Sequence, residues 1–281
     1  MTNALPRLAI TGATGALGGQ VAAELAATGL AQRLVVRTPA KAPELANSAV
    51  TVCSFGDRVA AEAALAGVET LLMVSAAESE DRLDQHRTFV DAAAAAGVRH
   101  IVYTSFFAAS ADATFTLGRD HYATEEHIKA SGMEWTFLRD NFYADVMADF
   151  VGDDGVIRGP ANDGRVSLVG RSDVARCAVS ILHEPAPHVR KTYELTGPEA
   201  LTLTEVAAIL SDSLQRDIRF HNETIPEAYE SRKAWPAPEW QYDAWVSTYT
   251  AIASGKLAGL SNDVEALTGR KPLSVAQLFG G

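Results

Sequence analysis

The sequence has few cysteines, no long hydrophobic run and no excess of positive charge. Only two of its 281 residues are cysteine, Cys53 and Cys177, which is too few for a disulfide framework or a cysteine metal cluster. We expect both to be reduced and buried. No stretch approaches the roughly 18 consecutive apolar residues of a transmembrane helix. The amino-terminal MTNALPRLAITG lacks the basic and apolar regions of a signal peptide, so the sequence predicts a cytoplasmic protein.

The charge balance is acidic, with 35 Asp and Glu against 24 Lys and Arg, a net charge of −11. An acidic surface repels phosphate backbones and anionic lipid, which argues against nucleic acid or a membrane as the main partner. The seven histidines show no metal-ligand spacing, and the sequence contains neither HExxH nor GxSxG. We therefore expect no metal site and no serine-hydrolase site.

Short apolar runs alternate with amphipathic stretches through the first half of the chain. This rhythm is typical of a parallel sheet that is covered by helices on both faces. It predicts an α/β fold with a Rossmann-like, doubly wound parallel sheet. The predicted strands are Leu8–Ile10, Leu34–Val36, Val50–Val52, Leu71–Val74, Ile101–Tyr103 and Trp135–Leu138, and the predicted helices are Ala16–Thr28, Asp57–Ala66, Asp81–Ala96 and Gly118–Ala130.

The rhythm changes after about Asn141, where Gly and Asp cluster in turns. We predict an NAD(P)-binding domain over residues 1–145 and a smaller C-terminal α/β portion on the substrate side over 146–281, with about 165–185 returning to pack on the sheet. The later helices are expected at Asp173–His183 with Ser172 as N-cap, at Thr204–Leu214 and at Tyr242–Ala253. A monomer and a homodimer both stay open.

The strongest local signal is TGATGALGG, which follows the first strand and opens the first helix. Its three spaced glycines, Gly12, Gly15 and Gly18, permit a tight turn, a close backbone approach to a pyrophosphate, and close packing of helix on strand. Backbone N–H groups at the helix start then face the anion. The alternative is a glycine-rich turn that binds nothing.

Arg37 stands at the end of the second strand, where an NAD site usually carries Asp or Glu. A guanidinium suits a 2′-phosphate, and Pro39 can start a turn that brings Lys41 beside it. These residues favour NADP(H) over NAD(H). The alternative is that both are solvated surface cations.

Several segments resemble the NmrA-like, atypical group of short-chain dehydrogenases and reductases. They are spread over nearly the whole chain, and the later ones are the more discriminating. They are TGATGALGG, VVRTPAK, FGD, GVRHIVYTS, DHYATE, TFLRDNFY, KTYELTG and AIASGKLAGLSNDVEALTG. The resemblance implies a reductase of quinones or dyes that uses NADP(H), or a regulator that senses the cofactor without chemistry.

The same resemblance implies the positions of the cofactor-binding residues. Gly12, Thr14, Gly15, Ala16, Leu17 and Gly18 would line the pyrophosphate, with Arg37 and Lys41 at the 2′-phosphate and Asp57 near the adenine. The ends of two later strands would follow the ribose and the nicotinamide, through Val74, Ser75 and Ala76 and through Thr104, Ser105 and Phe106.

The Tyr-x-x-x-Lys pair of most short-chain dehydrogenases is missing, because Glu126 stands where lysine would follow Tyr122. A carboxylate disfavours a neighbouring phenolate, so Tyr122 is a poor general base. A quinone or a triarylmethane cation does not need such a base, since hydride addition yields a stable phenolate or a neutral product. This favours a small aromatic acceptor over an alcohol, and it weakens a nucleotide-sugar epimerase. It agrees equally with no catalysis.

Two residues are candidates for a catalytic role, and the first of them has a structural alternative. His121 could donate a hydrogen bond to a developing phenolate, or could cap or orient a helix start. Tyr143 ends LRDNFY and could close the pocket. In relatives an amide directly follows the arginine, whereas here Asp140 takes that place and Asn141 comes next, so the transfer of that role is open. Arg139 is expected to be an ion-pair donor.

Three of the four tryptophans lie close together, at Trp235, Trp240 and Trp245, with Tyr242 among them. These rings could stack on a flat acceptor, or could form a small core under a loop. The sequence does not identify the natural acceptor.

Overall fold

The computed structural model describes residues 5–280. Its strands are β1 (Leu8–Thr11), β2 (Gln32–Val36), β3 (Ser48–Val52), β4 (Thr70–Met73), β5 (His100–Phe106), β6 (Glu134–Asp140), β7 (Val156–Gly159), β8 (Arg165–Val166), β9 (Lys191–Leu195), β10 (Leu201–Thr202) and β11 (Arg219–Asn222). Its α-helices are α1 (Ala16–Ala27), α2 (Arg58–Leu65), α3 (Arg82–Ala95), α4 (Thr116–Ala130), α5 (Arg171–His183), α6 (Leu203–Leu214), α7 (Ile225–Arg232), α8 (Glu239–Ala253), α9 (Asp263–Thr268) and α10 (Val275–Phe279).

A seven-stranded sheet in the order β3-β2-β1-β4-β5-β6-β9 organises the fold. Ile10 of β1 is in register with Leu34 of β2 on one side and with Leu72 of β4 on the other, and both pairings are parallel. Strands such as β1 are buried along their length, which is why they read as unbroken apolar runs. The predicted Rossmann-like sheet is confirmed. The strand order reverses beside β1, where such sheets bind ligands at the carboxyl ends of their strands.

Glycines in the left-handed region follow the helices of the first half. Gly97 comes just after α3, Gly132 just after α4, and both have φ of +84°. That conformation costs glycine little and ends a helix cleanly. The observed bounds of α1 to α4 confirm the predicted helices of this half to within one or two residues at each end.

The second half departs further from expectation. Ser172 is not an N-cap, because α5 begins one residue earlier at Arg171. The next helix, α6, does have an N-cap: Thr202 and Glu205 form a reciprocal hydrogen-bond pair at its start. Neither α7 nor the parallel pairing of β7 with β11 is predicted from the sequence, because these short segments carry little periodicity.

The chain forms two compact units, and both are discontinuous in sequence. The first unit runs through Ser105 and adds Tyr122–Arg139 and Val174–Tyr193; the second takes Phe106–His121, Asp140–Asp173 and Glu194 onward. The division at residue 145 stays a prediction about domains. Within 5–280, no helix has the length and apolarity needed to cross a bilayer.

Each unit has its own hydrophobic core. In the first unit, Leu71, Phe89 and Ile101 are among the fully buried residues of the core around the sheet. In the second, Ile157 of β7 and Val206 of α6 are buried together with residues of α8 and α10. The first core fixes the strand ends that form the site described next.

Candidate functional site

The first unit contains an open cavity of about 340 Å³ at the carboxyl ends of β1, β2 and β4. Ten of the predicted cofactor residues line it together, as the strand order leads one to expect. These are Gly12, Thr14, Gly15, Ala16, Leu17, Gly18, Arg37, Val74, Ser75 and Ala76.

The glycine turn is built for close approach. Gly12 has φ of +68°, and a Cβ there would lie 3.1 Å from Cβ of Val74. A Cβ on Gly18 would lie 2.4 Å from the Gly12 carbonyl oxygen, a distance that no side chain tolerates. The two glycines therefore let α1 start directly against the end of β1, and Gly15 lies between them at the N-cap.

The start of α1 offers its backbone donors to a ligand. Gly15 is extended at the N-cap, and none of the described side chains caps the helix. The first turn of a helix leaves N–H groups without intrahelical partners, and the helix dipole adds positive potential there. An uncapped start that opens into a cavity fits a phosphate or pyrophosphate, as the sequence predicts.

Charged side chains are few around this cavity, with Arg37 and Glu78 as its two charged lining residues. Lys41 lies in the 3₁₀ turn Pro39–Lys41 and is exposed; it does not line the cavity. Asp57 also lies outside it, and its carboxylate accepts a 3.0 Å hydrogen bond from Ala60 N as the N-cap of α2. The structure therefore gives Asp57 a helix-capping role.

Eight further residues, none of them predicted as a site residue, also line the cavity. The eight are Val35, Val36, Cys53, Phe55, Ala77, Glu78, Ser79 and Gln85. All but Gln85, which lies in α3, stand at or after the ends of β2, β3 and β4, where the strand-end rule points. Burial, reinforced by the charge of Asp57, raises the pKa of the Cys53 thiol to about 11, which keeps it protonated and unreactive.

A buried histidine supports the loop after β4. His86 Nε2 accepts a 2.9 Å hydrogen bond from Ala76 N, and Nδ1 lies 2.9 Å from Thr124 Oγ1. Burial, followed by the charge of Arg82, lowers the pKa of His86 well below its ordinary value, so the ring is neutral and can accept at Nε2. Arg82 Nε donates to Ala76 O at 3.0 Å. The bonds from His86 and Arg82 fix the backbone of Ala76, which lines the cavity.

Two predicted nicotinamide-side residues belong to internal networks of the first unit. Thr104 Oγ1 accepts a 2.9 Å hydrogen bond from Ser75 N. Ser105 donates to Glu125 at 2.5 Å, and Glu125 also receives two bonds from Arg139, of 2.8 and 2.6 Å. Neither residue lines the cavity. Arg139 is an ion-pair donor to a fully buried carboxylate, as expected.

The other candidates, Phe106, His121 and Tyr143, lie in the second unit. Phe106 packs against Phe115 and Phe142 with centroid distances of 4.8 and 4.9 Å. The ring of His121 stacks on Phe106 at 6.1 Å. His121 is buried in the interior of α4, not at a helix start, so it does not cap the helix.

Tyr143 is partly buried and pairs with the buried Asp140, through a 2.5 Å hydrogen bond from its hydroxyl to Oδ2. Burial raises the pKa of Asp140 to about 7, against the opposing effect of that bond. Burial and the Asp140 carboxylate raise the pKa of Tyr143 well above its ordinary value. The phenol therefore stays protonated, and the Arg171 guanidinium lies 5.2 Å from its ring centroid.

Asn141, the other residue at the departure from the family pattern, is fully engaged. Its amide nitrogen donates to Ser167 Oγ at 2.9 Å and to Leu257 O at 3.0 Å, while its oxygen accepts from Phe142 N at 2.8 Å. Asn141 therefore links the chain after β6 to Ser167 and Leu257. Its neighbour Asp140 is the one that faces a candidate catalytic group.

The helix position four residues after Tyr122, where a lysine would complete the Tyr-x-x-x-Lys pair, carries Glu126. Glu126 ion-pairs with Lys129 at 2.7 Å. Within the described part of the chain, no cluster of three or more His, Cys, Asp or Glu residues could hold a metal ion.

Comparisons with known proteins give this geometry a context. A sequence model of the NmrA-like family matches residues 6–238. Quinone oxidoreductase 2 of Escherichia coli is 35% identical over 277 residues, which cover 96% of each chain. The NAD(P)H azoreductase of Xenophilus azovorans is 31% identical over 274 residues, which cover 95% of each chain.

Solved structures agree over the same length. The Escherichia coli NADPH-dependent quinone oxidoreductase in complex with NADPH superposes with a TM-score of 0.87 at 32% identity, covering 97% of this chain and 98% of that one. The Citrobacter sp. triphenylmethane reductase complexed with NADP(H) superposes with a TM-score of 0.83 at 28% identity, covering 96% and 98%.

Proposed function

Because the chain belongs to the NmrA-like family, we propose that it is an NADPH-dependent reductase that transfers hydride to a flat, activated acceptor. A quinone is the first acceptor to test, and triarylmethane or azo dyes are the next. The observation that carries the proposal is the cavity of the first unit, where the glycine turn, the uncapped start of α1 and Arg37 meet. Relatives named as quinone and azo reductases over nearly the whole chain support it.

The residues of the first unit would bind and orient NADPH, which supplies the hydride when bound. The amides of residues 12–18 would hold the pyrophosphate, and Arg37 would pair with the 2′-phosphate, with Lys41 joining it in the bound state. Thr104 and Ser105 would lie near the nicotinamide, held by their hydrogen bonds with Ser75 and Glu125. Asp57, which caps α2, would lie near the adenine.

The acceptor class follows from the missing proton donor. Hydride addition to a quinone gives a phenolate, which is a stable anion, and hydride addition to a triarylmethane cation gives a neutral product. Neither needs the Tyr–Lys pair, whose lysine position is Glu126. A site that only aligns donor and acceptor can then work by proximity. His121 is the proposed hydrogen-bond donor to the developing phenolate. Tyr143, whose hydroxyl donates to Asp140, is proposed to close the pocket.

A turnover assay tests the proposal. The chain is first titrated with NADPH by calorimetry, and then mixed with NADPH and a panel of benzoquinones and naphthoquinones while nicotinamide oxidation is followed. Turnover above a protein-free control supports the reductase. Saturable NADPH binding without turnover of any acceptor contradicts it and favours the alternative, a non-catalytic NADP(H)-sensing regulator. The absence of NADPH binding contradicts both.

Two finer points belong to the same proposal. We place the reaction in the cytoplasm, because both cysteines are free thiols, which is typical of a reducing compartment. A homodimer is the second point, and light scattering on the eluting protein distinguishes it from a monomer.

A further inference from the structure

The loop after β4 turns its backbone N–H groups into the protein. Three successive N–H groups each donate to a buried side chain at 2.9 Å: Val74 N to Thr11 Oγ1, Ser75 N to Thr104 Oγ1, and Ala76 N to His86 Nε2. All three donors belong to residues that line the cavity of the first unit. Because these amides are used inside the protein, this wall does not offer them to a phosphate, and the start of α1 supplies the donors instead.

The third of these bonds differs from the other two in where its acceptor comes from. Thr11 and Thr104 belong to β1 and β5, the strands on either side of β4, so the sheet itself places their hydroxyls. His86 belongs to α3, and Arg82 lies one helical turn before it on the same face. Arg82 Nε donates to Ala76 O at 3.0 Å, so two side chains of α3 engage both polar backbone groups of Ala76.

His86 can accept this bond because its ring is neutral. Nε2 accepts a hydrogen bond, so the proton is on Nδ1, which lies 2.9 Å from Thr124 Oγ1 and can donate to it. Burial, followed by the charge of Arg82, lowers the pKa of His86 well below its ordinary value. Arg82 thus supports the bond from Ala76 N to His86 and also makes its own bond to Ala76 O.

The path of this loop bears on the phosphate-binding turn. Cβ of Val74 would lie 3.1 Å from a Cβ on Gly12, so the loop and the turn are in close contact. His86 does not line the cavity, whereas its neighbour Gln85 does, and Gln85 Nε2 donates to Ser79 Oγ at 3.3 Å farther along the loop. Helix α3 therefore holds the loop at two points.

We propose that His86 is a positioning residue for NADPH, which holds the loop after β4 in the path that the bound cofactor requires without touching the cofactor. This role rests on the proposed function, because it takes NADPH as the ligand of the cavity. Without the Nε2 acceptor, the loop would turn the Ala76 N–H towards water. Binding of NADPH would then have to restore the ordered path and break that new hydrogen bond, so the affinity would fall.

Two substitutions at His86 test this role. His86→Leu removes the acceptor and keeps an apolar side chain in the buried space, whereas His86→Gln places an amide oxygen near the position of Nε2. In calorimetry, His86→Leu should weaken NADPH by about tenfold, and His86→Gln by less than about threefold. In the protein without NADPH, hydrogen–deuterium exchange of residues 74–79 should be faster in His86→Leu than in the parent, and close to the parent in His86→Gln.

His100 provides a matched control. It is also a buried histidine of the first unit beside a threonine, with Nε2 2.8 Å from Thr136 Oγ1, and it lies outside the cavity lining. His86→Leu and His100→Leu should both lower the free energy of unfolding in urea. Only His86→Leu should change the dissociation constant of NADPH and the exchange of residues 74–79, which separates positioning from a general loss of stability.

A milder pair of variants keeps the test valid if His86→Leu does not fold. Thr124→Val removes the partner of His86 Nδ1 at nearly constant volume and should weaken NADPH by about threefold. The matched Thr136→Val removes the partner of His100 and should leave the affinity for NADPH unchanged.

The role of His86 is overturned if the parent binds NADPH and the affinity is equal or tighter in His86→Leu, or if His86→Leu and His100→Leu change it equally. It is also overturned if the exchange of residues 74–79 is the same in His86→Leu as in the parent. These results leave the reductase proposal intact, since the turnover assay decides it. A parent that does not bind NADPH contradicts both, and a parent that binds NADPH without turnover contradicts the reductase alone.

Discussion

The buried carboxyl of Asp140 should make the stability of the folded chain depend on pH. The carboxyl has a pKa of about 7 in the folded chain, against an ordinary 3.8. Between these values the unfolded chain has released the proton and the folded chain still holds it. The folded chain therefore binds more protons, and its stability falls as pH rises from about 4 to about 7, after which the loss is complete.

The size of the effect follows from that difference. About three pH units at about 1.4 kcal/mol each give a full loss of about 4 kcal/mol. Only part of this is accessible, because the sequence pI of about 5.1 makes precipitation a risk at lower pH. Between pH 5.5 and 8.5 the linkage relation leaves about 2 kcal/mol.

Asp140→Asn isolates this contribution, since the amide keeps the shape, can accept from the Tyr143 hydroxyl and cannot ionise. The assay is urea unfolding of both proteins from pH 5.5 to 8.5, followed by tryptophan fluorescence and far-ultraviolet circular dichroism. The stability of the variant relative to the parent should rise by about 2 kcal/mol over this range. A control at an exposed carboxylate, Asp153→Asn, should show no such rise.

The reasoning would be refuted if the free energy of unfolding of Asp140→Asn differed from that of the parent by the same amount at every pH in the range. That result would mean that Asp140 is already ionised at pH 5.5, so that its hydrogen bond from Tyr143 outweighs burial. The reasoning would also be refuted if the stability of the variant relative to the parent fell as the pH rose.

Three other predictions concern the first unit. Arg37→Glu should weaken NADPH by about a hundredfold and NADH by less than about threefold in calorimetry, because only NADPH carries the 2′-phosphate; equal losses would show that Arg37 does not contact it. Gly18→Ala should abolish NADPH binding, since its Cβ would meet the Gly12 carbonyl at 2.4 Å, and unchanged affinity would disprove that close approach. Glu125→Gln should lower the free energy of unfolding by about 3 kcal/mol, because it leaves the Arg139 guanidinium without its buried carboxylate; an unchanged urea midpoint would contradict this.

The sheet and its glycine turn were predictable because local pattern and tertiary role coincide there. Apolar runs such as Leu71–Val74 are typical of strands buried on both faces, and Gly12, Gly15 and Gly18 each have a stereochemical use in a phosphate-binding turn. Ten of the predicted cofactor residues line one cavity for this reason. Gln85 was missed as a lining residue because it reaches the cavity from α3, which the strand-end rule does not cover.

The second half was less predictable because its elements are short and its partners distant. The pairing of β7 with β11 joins Ile157 to Phe220, and neither strand is long enough to show alternation. The aromatic cluster shows the same limit: Trp235 and Trp245 line a cavity, whereas Tyr242 hydrogen-bonds the Trp235 carbonyl at 3.0 Å. Spacing alone could not separate these roles.

The interleaving of the first unit has a consequence for synthesis on the ribosome. Its sheet residues through Arg139 leave the exit tunnel well before Val174–Tyr193, the last segment that the unit needs. At ordinary elongation rates the nascent chain waits roughly 3–10 s for that segment. Buried side chains of α5 such as Cys177 and Ile181 arrive only then. A nascent chain stalled in this interval would be a natural client for chaperones.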